Sequence, residues 1–152
     1  MNEFPTEPTL LELTHDECLA LLATRQVGRL GVMAEHYPLV LPVNYALDHD
    51  VIVVRTGSGT KHTNMLHANV TFEVDQIDEI THAGWSVLVK GLAEEVSPES
   101  SEDVADRTMA AAPKPWAPGE HEHWMRIIPH YVTGRRLDPG ALSDFFEAAA
   151  YL

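Results

Sequence analysis

Six short runs of β-branched and apolar residues divide most of this chain, and gaps suited to hairpins outnumber gaps suited to crossover helices. Val27 to Met33 is the first run, Pro38 to Ala46 the second and Val51 to Thr56 the third. The second and third flank the turn-like Asp48-His49-Asp50 and read as a hairpin. Val70 to Val74, Trp85 to Val96 and Trp124 to Leu137 complete the set. Strands joined mainly by hairpins pair antiparallel, and a sheet of this size loses its exposed edges by curling into a barrel. The expected class is mainly β, a barrel with flanking helices. With 152 residues the chain suits a single domain, 1–152, with its core at about 10–137.

Helices fill the remaining gaps. Thr14-His15-Asp16-Glu17 has the form of a capping box, with Leu19 and Leu22 following at helical spacing. Thr60 to Ala68 reads as one or two helical turns. Ser97-Pro98-Glu99 resembles an N-cap, a first-turn proline and a first-turn acid, which predicts a helix to about Ala111. Pro113 to Gly119 holds three prolines and a glycine, so it is a loop inserted between elements. Leu142, Phe145, Phe146 and Ala149 predict an amphipathic C-terminal helix at about 141–152.

Charge excludes some partners. A net charge of −13 without a basic stripe argues against nucleic acid, and no apolar run approaches the length of a membrane span. Met1 to Pro8 carries two glutamates and no basic region followed by an apolar stretch, so the cytoplasm is the expected location. The single cysteine, Cys18, rules out an internal disulfide and reads as a small buried hydrophobe rather than a reactive thiol.

The distribution of charge says more than its sum. The chain has 23 acids, yet none falls between Val51 and Phe72, a window that contains Arg55 and Lys61 with His62 and His67 behind them. A small anionic ligand would need such a stretch; chance composition around a buried strand would produce the same pattern. Within it, Arg55-Thr56-Gly57-Ser58-Gly59-Thr60-Lys61 follows a strand and opens a helix. The glycines allow close backbone approach, Arg can clamp two phosphate oxygens and Lys adds a point charge. It is not a Walker loop, because Lys61 follows threonine, and a surface turn capped by Ser and Thr is the alternative. His121-Glu122-His123 alternates like a metal-binding strand but follows a proline loop without a third ligand, so a solvated loop and no metal are expected. Trp85 and Trp124 each open a strand, as edge or core aromatics or as ring-stacking residues.

The segments VGRLGVM, PLVLPVNYAL, VIVVRTGSGTKHTNML, VTFEVDQID, GWSVLVKGLAEEV and HWMRIIPHYVTGRRL occur in an order that resembles the pyridoxamine 5′-phosphate oxidase-like flavin-binding split-barrel family. The resemblance covers about residues 10–137. It implies a six-stranded antiparallel split β-barrel of Greek-key type that forms a homodimer with FMN at the subunit interface. Arg55, Thr56 and Lys61 match positions that hold the flavin phosphate, and Pro42, Val43 and Asn44 match a strand beside the ring system. Trp85 and Ser86 match positions that reach the flavin from the other subunit, and Trp124 and Arg126 match the pocket more loosely.

One departure redirects the functional expectation. True pyridoxamine phosphate oxidases carry Glu-Phe-Trp and then an arginine-rich substrate motif on the last strand, where this chain has Pro129-His130-Tyr131-Val132-Thr133-Gly134. The resemblance is therefore closer to the nitroimidazole-reductase-like branch than to vitamin B6 oxidation. It implies an FMN-dependent oxidoreductase acting on a small, planar electron acceptor or donor. A deazaflavin-dependent reductase, or a non-catalytic flavin- or haem-binding protein, is the alternative.

Overall fold

The computed structural model describes residues 7–140, which leaves the expected C-terminal helix at 141–152 outside the described residues. All six expected strands are present. β2 (Val27–Ala34) buries alternate residues, Gly28, Leu30, Val32 and Ala34, as its period-2 pattern requires. It pairs with β3 (Tyr37–Asn44) on one side and β6 (Asn69–Ile77) on the other. β7 (Gly84–Glu95) joins β6 to β8 (His123–Asp138), and β5 (Val51–Thr56) continues the sheet to the short β4 (Ala46–Asp48). Every pairing is antiparallel, and the order is β3-β2-β6-β7-β8-β5-β4.

That order forces the sheet to curl. β3 and β4 stand at its opposite ends, yet one residue, Tyr45, connects them. The expected run Pro38 to Ala46 is thus two strands broken at Tyr45, while the hairpin through Asp48-His49-Asp50 survives as the β4–β5 pair. Tyr45 is buried; its backbone N–H donates to the Gln26 carbonyl at 3.0 Å, and its hydroxyl donates to the Leu22 carbonyl. Its ring meets Phe72 edge-on with centroids 5.0 Å apart. Phe72 in turn occupies the space over Gly28, where any Cβ would overlap the ring. The core runs through the barrel from these residues to Leu30, Ile52, Val54, Met125 and Ile127.

Three helices flank the sheet among the described residues. α1 (His15–Leu22) carries the expected capping box: Thr14 Oγ1 accepts from the Glu17 N–H at 3.2 Å, and Glu17 Oε2 accepts from the Thr14 N–H at 2.7 Å. It buries Cys18, 1 % exposed, and burial pushes the thiol pKa up, as befits a small core residue. α2 (Thr60–Met65) follows β5. α3 (Glu102–Ala111) begins later than expected, because Ser101 rather than Ser97 caps it, accepting from the Val104 N–H at 3.3 Å. Ser97 closes a preceding turn through the Ser100 N–H. A further strand, β1 (Thr9–Glu12), was not expected; it pairs with the last four residues of β8. No helix among the described residues is long and apolar enough to cross a membrane.

Candidate functional site

Strand β5 is buried along its length and ends at Arg55 and Thr56, where the chain turns into α2. Its partner β8 sets Trp124 opposite Arg55 and His123 opposite Thr56. The Arg55 guanidinium carbon lies 4.5 Å from the Trp124 ring centroid, a cation–π contact, and a terminal N–H donates to the His121 carbonyl at 3.2 Å. Arg55 Nε is nevertheless buried without a hydrogen-bond partner among the described residues, and so is Oγ1 of Thr56, a residue only 2 % exposed. A buried polar atom left unpaired costs about 1–3 kcal/mol. Two of them on consecutive residues mark a place where the protein has donors to offer.

The following glycines shape the approach. A Cβ on Gly57 would stand 2.6 Å from the Glu120 carbonyl oxygen, so only glycine lets the proline loop lie this close. Gly59, the residue before α2, has φ +152°, a conformation that L side chains rarely adopt. Lys61 stands in the first turn of α2, two residues on.

The loop from Pro113 to Glu122 is more than an insertion. Asn44 Oδ1 accepts from the Trp116 N–H at 2.8 Å, while Asn44 Nδ2 donates to the Gln26 carbonyl at 3.4 Å. Farther along, the His121 ring bonds the Ala117 carbonyl, and the His121 carbonyl holds Arg55. The loop therefore links the end of β3 to the end of β5, and Trp116 is exposed. Of the other two β3 residues, Val43 points into the core and Pro42 is exposed.

Arg126, two residues from Trp124 on β8, is differently engaged. One of its terminal nitrogens donates to Asp48 Oδ2 at 2.8 Å and to Thr108 Oγ1 at 2.6 Å. Arg107 also leans on Asp48, at 3.5 Å. Burial works against the Asp48 charge, but the hydrogen bonds from Arg126 and His49 and the two arginine charges outweigh it and hold its carboxyl below the ordinary range. Arg126 thus ties α3 to β4 and β8.

Trp85 and Ser86 are not brought to this junction within one chain. They lie opposite Arg136 and Arg135 of β8, and Arg136 is twelve residues from Trp124. At about 3.3 Å per residue this is roughly 40 Å of strand. There Trp85 packs at the edge of the core.

The triplet His121-Glu122-His123 divides. His121 and Glu122 stay in the loop, but His123 starts β8, half-buried, and turns its ring to Glu95 and His62. Burial opposes the Glu95 charge, and hydrogen bonds with His123 and His62 outweigh it, so that this carboxyl is also held below its ordinary range. Sequence spacing could not join these three, since they come from three different elements; the hints are His62 in the acid-free window and His123 in the alternating His121-Glu122-His123 triplet.

Comparison with known proteins agrees with this architecture. The uncharacterized protein Rv0080 of Mycobacterium tuberculosis is 30% identical over 134 residues, 84% of this chain and 86% of its own length. The structure of the FAD binding protein from Mycobacterium smegmatis superimposes with a TM-score of 0.70 at 32% identity, covering 83% of this chain and 98% of that one. A protein from Bacteroides thetaiotaomicron named for 5-nitroimidazole antibiotic resistance shares the fold, with a TM-score of 0.66 over 88% of this chain and 90% of its own, at 15% identity. The family model for pyridoxamine 5′-phosphate oxidase matches residues 14–136, most of the curled antiparallel barrel: the chain belongs to the pyridoxamine 5′-phosphate oxidase family.

Proposed function

We propose that this protein binds FMN with the phosphate at Arg55, Thr56 and Lys61, and acts as a cytoplasmic, homodimeric oxidoreductase on a small, planar electron acceptor or donor. The carrying observation is the pair of buried, unpaired polar atoms, Arg55 Nε and Thr56 Oγ1. A phosphate would offer acceptor oxygens to such donors, and its charge would be met by the guanidinium that Trp124 and the His121 carbonyl hold in place. When bound, the flavin supplies the redox chemistry, taking up a hydride or electrons and passing them on. The chain itself supplies phosphate anchorage at the β5–α2 junction and ring contacts along β3, where Asn44 is fixed by Gln26 and the loop.

The separation of Trp85 and Ser86 from Arg55 favours a site completed by a second subunit, as does exposed apolar surface at Met33, Tyr37, Val40 and Tyr131. FAD is the second reading for the cofactor, favoured by the likeness to the Mycobacterium smegmatis protein.

The first test is the absorption spectrum and mass of the cofactor released from freshly purified protein. FMN is expected; FAD would move the reading to the dinucleotide, and a deazaflavin or haem would overturn it. Arg55→Ala and Lys61→Ala should each weaken FMN binding by about 1.5–3 kcal/mol and riboflavin binding far less, because each removes a charge-assisted contact to phosphate. Arg107→Ala is the control, on α3 and paired with Asp103 and Asp48. Equal losses for both ligands would put the phosphate elsewhere. For the dimer, FMN-free Lys61→Ala and Trp85→Ala chains are mixed. In a heterodimer both lesions fall in one of the two sites, so up to half the wild-type FMN capacity should return. No return in a verified heterodimer would place both motifs in one subunit's site.

A further inference from the structure

Beside the phosphate junction, but not part of it, three metal-ligating side chains converge. His62 on α2, Glu95 at the end of β7 and His123 at the start of β8 each offer one ligand atom, all within 4.8 Å of one another. Glu95 meets both imidazoles, Oε2 with His62 Nε2 at 3.1 Å and Oε1 with His123 Nδ1 at 2.5 Å. The two rings are stacked with centroids 3.7 Å apart, and the three side chains are only 16–24% exposed. The remaining nitrogen of His123, Nε2, lies 3.1 Å from Ser58 Oγ.

We propose that His62, Glu95 and His123 form a binding site for a divalent transition-metal ion of the zinc type. Imidazole nitrogen and carboxylate oxygen are the donors such ions prefer, and bonds of about 2.0–2.1 Å set neighbouring ligand atoms of a tetrahedral ion about 3.3–3.5 Å apart. The Glu95–His62 pair, at 3.1 Å, stands near that spacing, and the Glu95–His123 pair, at 2.5 Å, has to open by about 0.8–1.0 Å to reach it. Ser58 Oγ beside Nε2 of His123 is able to take the Nε2 proton, which leaves the Nδ1 lone pair to a metal; without a metal, Nδ1–H donates to Glu95. A ligating histidine whose other nitrogen is oriented by a hydrogen-bond partner is the usual second layer of a metal site. Two imidazoles and one carboxylate leave a fourth position open to water or another ligand. This site does not depend on flavin binding.

The test uses the full chain, stripped with a chelator and titrated with Co²⁺ as a visible probe, then with Zn²⁺ in competition. One equivalent of Co²⁺ per chain is expected, with ligand-field absorption that Zn²⁺ abolishes. His62→Gln, Glu95→Gln and His123→Gln should each weaken binding at least 10-fold, Ser58→Ala about 10–100-fold, and the loop control His121→Gln not at all. Absence of saturable binding to the wild-type chain overturns the proposal and leaves a cluster held by protons alone. Binding that survives all three ligand changes, or falls equally with His121→Gln, overturns it as well. X-ray absorption on the wild-type Co²⁺ form gives a second measurement, free of any folding defect in the variants. Two imidazoles and a carboxylate, with or without water at the open position, support the site, and any other set of protein donors overturns it.

Discussion

Arg55 and Arg126 sit on paired strands two residues of register apart, and they illustrate two uses of the same side chain. Arg126 is buried against Asp48 and Thr108, its charge neutralised by a carboxylate that serves Arg107 as well. Arg55 has a ring face and one carbonyl, no carboxylate among the described residues within ion-pairing distance, and an unpaired Nε. A paired buried arginine belongs to the fold. An arginine kept in place with an unpaired donor is the one our proposal assigns to the flavin phosphate.

The largest expected effect breaks the paired side. Asp48→Ala leaves Arg126 buried without its counter-charge and should lower the unfolding free energy by about 3–5 kcal/mol, measured by urea denaturation. A loss below about 1 kcal/mol would erase the distinction between the two arginines. The same pair carries a pH dependence. Because the folded Asp48 pKa lies below its ordinary 3.8, the stabilisation is fully present above that pH and is lost as pH falls through the lower folded value. Acid unfolding of Asp48→Asn should accordingly show less pH dependence below about pH 4 than wild type.

A smaller effect is expected on the open side. Arg55→Met removes a hydrogen bond worth about 0.5–1.5 kcal/mol and a cation–π contact of about 0.5–1 kcal/mol, but also removes an unpaired buried donor costing about 1–3 kcal/mol. Stability of the flavin-free protein should therefore change by less than about 1 kcal/mol. A loss as large as that of Asp48→Ala would make Arg55 a structural residue.

The smallest effect concerns a third arginine. Arg29 faces Glu73 at 3.2 Å and Asp75 at 3.3 Å from a single nitrogen, on the outer side of β2 and β6. One cation does not satisfy two acids. Burial, with hydrogen bonding and repulsion from Asp75, pushes Glu73 up to about 7 against the pull of Arg29. A carboxyl raised in the folded state costs stability as pH rises from about 4.5 to about 7. Glu73→Gln should raise the melting temperature slightly above pH 7 and leave it unchanged near pH 4. A lowered value at pH 8 would mean that Arg29 outweighs Asp75.

Local signals in the sequence survived into the structure. The Thr14–Glu17 capping box, the alternation of β2 and the hairpin at Asp48-His49-Asp50 all rest on neighbours a few residues apart. The sequence offers two starts for α3, because Ser97 and Ser101 are each followed closely by acids. Val96 is still bonded to Trp124 of the sheet, which leaves Ser97 to make a turn and Ser101 to begin the helix. Strand β1 has no pattern of its own in the sequence, because its four residues are all exposed and its register comes wholly from β8.

Alternation, turns and caps in the sequence thus determined an antiparallel β protein with short helices and a basic, glycine-containing junction after β5. The rest was decided by tertiary structure: the break at Tyr45 that lets the sheet close, the capture of Arg126 by Asp48 and Thr108, and the meeting of His62, Glu95 and His123. Each of these joins residues carried on separate elements, and no local propensity encodes such a contact. It exists because the curl of the sheet brings those elements side by side, where burial rewards whatever pairs the charges and fills the space.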